Sequence, residues 1–271
     1  MGGDCLNYGC VPSKAMLAAG HAAQAIRHAG RFGVQSGAPK IDAKGVFKHI
    51  HGTIGAIAPN DSVARFTGLG VHVIEQAGRF VSNDTIEAGD TQIKARRFVI
   101  ATGSAPFVPP IPGLDTVDYF TNESLFENTR KPAHLLVIGG GPIGMEMAQA
   151  HLRLGLKVTV IEGAKALGKD DPELAAVVLE KLRGEGLDIL EGAMVSSIEK
   201  RGKSGVTVRY KLGEEKRSVD GSDLLVATGR AVNVEGLGLT EAGITYDRKG
   251  IKVKPDLRTT NRRVYAIGDV A

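Results

Sequence analysis

The chain has 271 residues, 42% of them hydrophobic and 24% charged, a globular composition that argues against disorder, and its 36 glycines imply many tight turns or close backbone approaches. Its 34 basic and 30 acidic residues leave a net charge of +4, with basic clusters no longer than Arg96-Arg97 and Arg262-Arg263, too weak a stripe for a nucleic-acid partner. No apolar run approaches the roughly 20 residues that span a bilayer and no signal-peptide order opens the chain, so the expectation is a cytoplasmic protein of two ordinary domains with no membrane partner.

In chain order, Gly2-Gly3 leads into a helix expected over residues 11–28, with Pro12 in its first turn and alanines throughout. Short strands are expected at 71–75, around a hairpin-like stretch at Asn83-Asp84, and over 98–101, which ends in Thr102-Gly103. The prolines between 106 and 112 break regular structure and mark a domain crossing. Beyond them lies a βαβ unit, with a strand over 135–138, a helix over 142–154 and a strand over 157–161, as in a doubly wound parallel sheet. A helix over 172–183 leads to strand-like stretches at 188–199, 206–211 and 224–227, and the chain after about 247 reads as a return to the first domain. No tandem repeat is present, but Ala101-Thr102-Gly103 recurs as Ala227-Thr228-Gly229, each after an apolar strand, which two related domains would explain. The fold class is α/β, with one domain over 1–116 and 246–271 and the other over 117–245.

The run Gly139-Gly140-Gly141-Pro142-Ile143-Gly144 fits GxGxxG between a strand and a helix. There Gly139 permits the tight turn, Gly141 lets backbone amides approach a pyrophosphate, Ile143 lies at the helix start, and Gly144 allows close helix–strand packing. Glu162 ends the next strand, where a carboxylate accepts hydrogen bonds from an adenosine ribose and repels a 2′-phosphate, favouring NAD over NADP. Lys165 pulls the other way, and the plain alternative is a carboxylate that merely solvates a strand end.

Two cysteines cannot form a disulfide scaffold; with four residues between them, Cys5 and Cys10 point to chemistry. Cys10 precedes the expected helix, whose macrodipole favours a thiolate. The alternatives are two buried cysteines or half a zinc site, but neither Cys-x-x-Cys nor a His pair at i, i+4 is present, and His49 and His51 stand at i, i+2. No metal ligand is assigned.

The run Cys5-Leu6-Asn7-Tyr8-Gly9-Cys10-Val11-Pro12-Ser13-Lys14, the glycine fingerprint, both Ala-Thr-Gly segments and the terminal Val264-Tyr265-Ala266-Ile267-Gly268-Asp269 are four ordered signatures. Together, over essentially the whole chain, the sequence resembles the class I pyridine nucleotide-disulfide oxidoreductases, the family of dihydrolipoamide dehydrogenase, glutathione reductase and mercuric reductase. The resemblance implies two Rossmann-like domains binding FAD and NAD(P), and a flavoprotein enzyme passing electrons between nicotinamide, FAD and the Cys5/Cys10 dithiol. It implies that Cys5 exchanges with a small dithiol or disulfide such as a lipoyl group, that Cys10 contacts the isoalloxazine, and that Lys14 approaches the flavin and pairs with Glu146. It places Thr102, Gly103, Gly268 and Asp269 beside FAD, and Val195 and Gly229 along the NAD site. The family's N-terminal FAD fingerprint and C-terminal dimerisation domain have no counterpart in the 271 residues, so the expectation is a fragment with an incomplete first domain, a general base outside the chain, weak FAD retention and a homodimeric full-length form. A mercuric reductase-like enzyme, to which Gly141-Pro142-Ile143-Gly144 and Asp4 are similar, and a truncated, non-catalytic NAD-binding module are the competing readings.

Overall fold

In the computed structural model, which describes residues 1–271, the run His134–Ile138 is a strand buried on both faces. The period of two sends Leu135 and Val137 into one core and Leu136 and Ile138 into another. The strand lies second in a four-stranded parallel sheet, ordered Asp223–Val226, His134–Ile138, Lys157–Glu162, Asp188–Glu191, with Val137 between Leu225 and Val160. On one face the helices Pro142–Arg153 and Pro172–Gly184 contribute Met145, Met147, Ala148, Leu179 and Leu182 to the core. The other face is covered by an antiparallel meander, Ala193–Arg201, Gly205–Leu212 and Glu215–Gly221, through Ile198, Val206, Val208 and Tyr210. The α/β class is as expected. The stretch expected as one strand over 188–199 divides at Gly192, whose N–H leaves the ladder to donate to the Ala164 carbonyl at 2.9 Å.

The helix Cys10–His28 belongs to the same packing unit, which comprises residues 1–65 and 108–229. It crosses Pro142–Arg153 at Gly20, where a Cβ would stand 3.3 Å from both the Ala150 carbonyl oxygen and the Arg153 Cβ. Ala15 and Met16 share a core with Ala148 and Ala150, and the Arg27 guanidinium donates to the Arg153 carbonyl at 2.6 Å. A helix absent from the sequence reading, Ala43–Ile57, is capped by Asp42 accepting from the Lys44 N–H and seats Ile50 in this core. Its Val46-Ile50-Ile54 stripe is helical in period, but Gly45, Gly52 and Gly55 depress its propensity.

The second unit comprises residues 66–107 and 230–271. It contains the hairpin meander Gly78–Phe80, Thr85–Ala88, Thr91–Lys94, a parallel pair Phe98–Ile100 with Val264–Ala266, and an antiparallel pair Ser104–Pro106 with Arg230–Val232. Phe80 and Phe98 meet edge to face at 5.2 Å in a core completed by Ile100, Leu239, Ile244, Val264 and Ala266. The stretch 71–75, expected as a strand, is irregular: it has no ladder partner, and Val71 is exposed. One Ala-Thr-Gly segment follows a strand in each unit, and the passage between units at 107 falls inside the proline cluster.

Two histidines couple this fold to pH. Burial holds His151 below the ordinary histidine range near 6.5, against opposing effects of the Met147 carbonyl and Asp223. Burial, then Lys157, does the same for His134. The unfolded chain therefore takes up protons that the folded chain refuses, so stability is present above about pH 6.5 and declines as pH falls below it. Each group contributes at most about 1.4 kcal/mol per pH unit. Denaturant melts between pH 7.5 and 5 are expected to show this decline, and His151→Gln to flatten it; an unaltered slope in the variant would remove His151 from the account.

Candidate active site

The glycine loop after His134–Ile138 is held by backbone contacts on three sides. Gly139 adopts φ 109°, and a Cβ on it would lie 2.3 Å from the Ala227 carbonyl oxygen of the neighbouring strand's end. A Cβ on Gly144 would lie 2.0 Å from the Gly139 carbonyl oxygen, so the helix can sit on the strand end only without a side chain there. At Gly141, by contrast, a Cβ would meet nothing within 4 Å. That open space lies at the start of Pro142–Arg153, a 12-residue helix whose first N–H groups have no intrahelical partner. Pro142 occupies the first turn, where a missing N–H is no loss.

Glu162 closes the loop from the adjacent strand. Its Oε2 accepts from the Gly140 N–H at 2.7 Å and its Oε1 from the Ala164 N–H at 2.8 Å, leaving lone pairs on both oxygens toward a cleft of about 540 Å³. Gly139, Gly141, Ile143, Glu162 and Gly229 line that cleft together with Lys165, Lys169 and Thr228. The structure brings these residues together and leaves Val195 out of the lining; it lies on Ala193–Arg201 opposite Tyr210, packed against the core beneath the meander. Lys169 belongs to none of the sequence motifs and joins the lining only through the fold. A dinucleotide fits this arrangement: open backbone for a pyrophosphate, and a fixed carboxylate beyond it for a ribose diol.

In the same unit, Cys5 lies in the short helix Gly3–Asn7 and Cys10 begins Cys10–His28; both thiols are free and exposed. The Ser13 N–H donates to the Gly9 carbonyl at 3.0 Å as the first bond of the helix, leaving the Cys10 and Val11 amides without intrahelical acceptors beside the sulfur. A hydrogen bond with the Cys10 side chain pushes the Cys5 thiol up from its ordinary range, with burial, the Cys10 charge and Asp4 adding to the effect and the Cys10 backbone opposing it. Lys14, one turn after Cys10, donates from Nζ to both carboxylate oxygens of Glu146 at 2.8 Å. Asn122, marked by no motif, donates to the Asp4 carboxylate at 3.3 Å and the Tyr8 carbonyl at 3.2 Å.

In the other unit, Thr102-Gly103 and Gly268-Asp269 follow the two paired strands Phe98–Ile100 and Val264–Ala266, so both lie at the same edge. The Asn233 side chain donates to the Thr102 carbonyl at 2.9 Å and its N–H to the Gly103 carbonyl at 3.0 Å. Asp269 Oδ2 accepts from the Ser104 hydroxyl at 2.6 Å, which in turn accepts from Arg230 Nε at 2.6 Å. The carboxylate is thus oriented from behind while most of it faces solvent, a fit for the hydroxyls of a flavin's ribityl chain. Ser104, Arg230 and Asn233 carry no local pattern and went unseen in the sequence.

A family model described as pyridine nucleotide-disulphide oxidoreductase matches residues 1–271. The chain is similar to the mercuric reductase of Bacillus cereus, 36% identical over 272 residues that cover 100% of this chain and 43% of that protein. It is also similar to the dihydrolipoyl dehydrogenase of Geobacillus stearothermophilus, 31% identical, covering 100% of this chain and 58% of that protein. Among solved structures, the HOCl-induced flavoprotein disulfide reductase RclA from Escherichia coli superposes with a TM-score of 0.84 at 27% identity, covering 99% of this chain and 58% of that one. The chain therefore spans about half the length of these relatives.

The two glycines of the loop should separate on substitution. Gly144→Val is expected to destabilise the fold by several kcal/mol, since its Cβ meets backbone. Gly141→Ala should leave the thermal midpoint nearly unchanged and weaken binding of a reduced nicotinamide dinucleotide, NADH or NADPH, by about tenfold, read by fluorescence titration, because only open space is filled. Equal effects of the two on stability would contradict this division.

Proposed function

The chain belongs to the pyridine nucleotide-disulphide oxidoreductases, and on that premise we propose that it serves a FAD-dependent NAD(P)H:disulfide oxidoreductase of dihydrolipoamide dehydrogenase type. The observation that carries this reading is the pair of free, exposed thiols, Cys5 on the short turn Gly3–Asn7 and Cys10 at the start of a helix tied by Lys14 to Glu146 on the fingerprint helix. FAD, when bound, supplies the exchange between two-electron hydride chemistry and sulfur chemistry. Thr102, Gly103, Gly268 and Asp269, supported by Ser104, Arg230 and Asn233, serve the flavin side, and the cleft lined by Gly139, Gly141, Ile143, Glu162 and Gly229 serves the nicotinamide nucleotide. Glu162 favours NAD, because the ribose diol can use the lone pairs that the Gly140 and Ala164 amides leave free.

The sulfur steps follow from the residues themselves. A Cys5 thiolate attacks one sulfur of a small disulfide such as a lipoyl group; the substrate S–S bond breaks, and the released thiolate takes up a proton. The Cys10 thiolate then attacks the Cys5 sulfur of the mixed disulfide, displaces the second substrate thiolate and leaves the Cys5–Cys10 disulfide. Two electrons have passed from the dithiol to the substrate, and the reverse sequence oxidises a dithiol. Lys14 places a fixed cation one turn beyond Cys10, with Glu146 orienting it. The full-length form is read as a homodimer.

A second reading, a mercuric reductase-like enzyme, draws on the 36% identical relative and on the affinity of paired thiolates for a soft cation. In flavin-loaded enzyme, Cys5→Ser and Cys10→Ser are each expected to abolish NADH-dependent reduction of lipoamide while NADH binding persists. Thiol titration should count both cysteines after reduction and neither after mild oxidation. Turnover surviving either substitution sinks the dithiol reading, and nucleotide oxidation driven by Hg(II) in preference to lipoamide would select the second.

A further inference from the structure

The segment that carries Cys5 is a single turn: the Tyr8 N–H donates to the Asp4 carbonyl at 2.8 Å and the Asn7 side chain to the Gly3 carbonyl at 2.8 Å, while Leu6, 4% exposed, seats it by apolar packing. Neither hydrogen bond reaches beyond the turn. Asn122 supplies those that do. It is buried, at 8% exposure, and both protons of its side-chain amide are committed to this turn, one to the Asp4 carboxylate and one to the Tyr8 carbonyl. Those acceptors lie on either side of Cys5 in sequence. Asn122 is itself rigid: it starts the helix Asn122–Leu125, in which the Thr121 hydroxyl accepts from the Glu123 N–H and the Ser124 hydroxyl from the Thr121 N–H, and Leu125 and Phe126 anchor the segment in the main core.

From this geometry we propose that Asn122 is a positioning residue of the dithiol, holding the Cys5 turn against the start of the Cys10 helix so that the Cys5–Cys10 disulfide forms at a high effective concentration. The proposal rests on the dithiol reading above. Its physical content is entropic. A turn held at both flanks of Cys5 loses less freedom when the S–S bond closes, so the bond is more stable than on a loose turn. A second consequence concerns charge. Asp4 is one of the groups that push the Cys5 thiol up, and the Asn122 amide fixes that carboxylate beside it. A buried asparagine that only satisfied its own polar atoms would affect stability and leave the sulfur chemistry alone.

The test is an equilibrium of the full chain with glutathione redox buffers, read by alkylation and mass measurement of the Cys5–Cys10 disulfide, together with the pH profile of Cys5 alkylation by iodoacetamide. Asn122→Ala is expected to shift the equilibrium about fivefold toward the dithiol, roughly 20 mV less reducing at 29.6 mV per tenfold. Asn122→Asp, which places a second carboxylate at Asp4 and cannot donate, should shift it at least as far. Adding Asp4→Asn to Asn122→Asp restores a donor–acceptor pair at one of the two contacts and should recover part of the loss. Thermal melts of all variants separate a general loss of fold from a local effect. If Asn122→Ala lowers the melting temperature but leaves the redox equilibrium and the Cys5 profile where they were, the positioning role is wrong. If the unsubstituted chain forms no reversible Cys5–Cys10 disulfide, the dithiol reading itself has failed, and the proposal falls with it.

Discussion

The crossing of Cys10–His28 over Pro142–Arg153 is close at Gly20, where a Cβ would press at 3.3 Å on the Ala150 carbonyl oxygen and the Arg153 Cβ. One helix begins with a cysteine of the dithiol; the other begins at the glycine loop of the dinucleotide cradle. A close crossing of two stiff rods fixes the distance between their ends more firmly than any loop contact. The Lys14–Glu146 pair spans the same two helices. Both side chains are substantially exposed, so the pair adds at most about 1 kcal/mol of stability. It ties the helix that Cys10 begins to the helix that the glycine loop begins.

The two units use the same device to orient a carboxylate at a strand end. In one, Glu162 is gripped by two backbone N–H groups of the glycine loop and the turn after it. In the other, Asp269 is gripped by Ser104, which Arg230 holds in turn. In both cases the donors come from behind, so the oxygens keep lone pairs toward open space. Orienting an acceptor in advance removes an entropy cost that a ligand would otherwise meet on binding.

The Cys5 turn is the contrasting element, a single turn seated by buried Leu6 and hydrogen-bonded by the buried Asn122 amide. Asp4, Tyr8 and Gly9 fold around Cys5, and a Cβ on Gly9 would crowd Asp4 at 3.1 Å. The hydrogen bonds on either side of Cys5 thus come from a residue more than a hundred positions away in the chain, on a segment that Leu125 and Phe126 anchor in the main core.

What could be read without coordinates was whatever a short run of residues expresses by itself. The apolar period of His134–Ile138, the glycine fingerprint, Glu162 at the end of the next strand and the Cys5/Cys10 spacing each depend on contacts within a few residues or within one βαβ unit. The stretch 71–75 failed as a strand because alternation alone does not supply a ladder partner, and Ala43–Ile57 went unread because its glycines masked a sound apolar stripe. Only the tertiary structure decided that residues 1–65 pack with the dinucleotide unit, that Val195 stays out of the cleft, and that Asn122, Ser104, Arg230 and Asn233 support the site residues. The four supporting residues are single polar side chains meeting partners more than a hundred residues away, and a lone hydrogen-bonding residue leaves no period or spacing in the sequence from which its partner could be inferred.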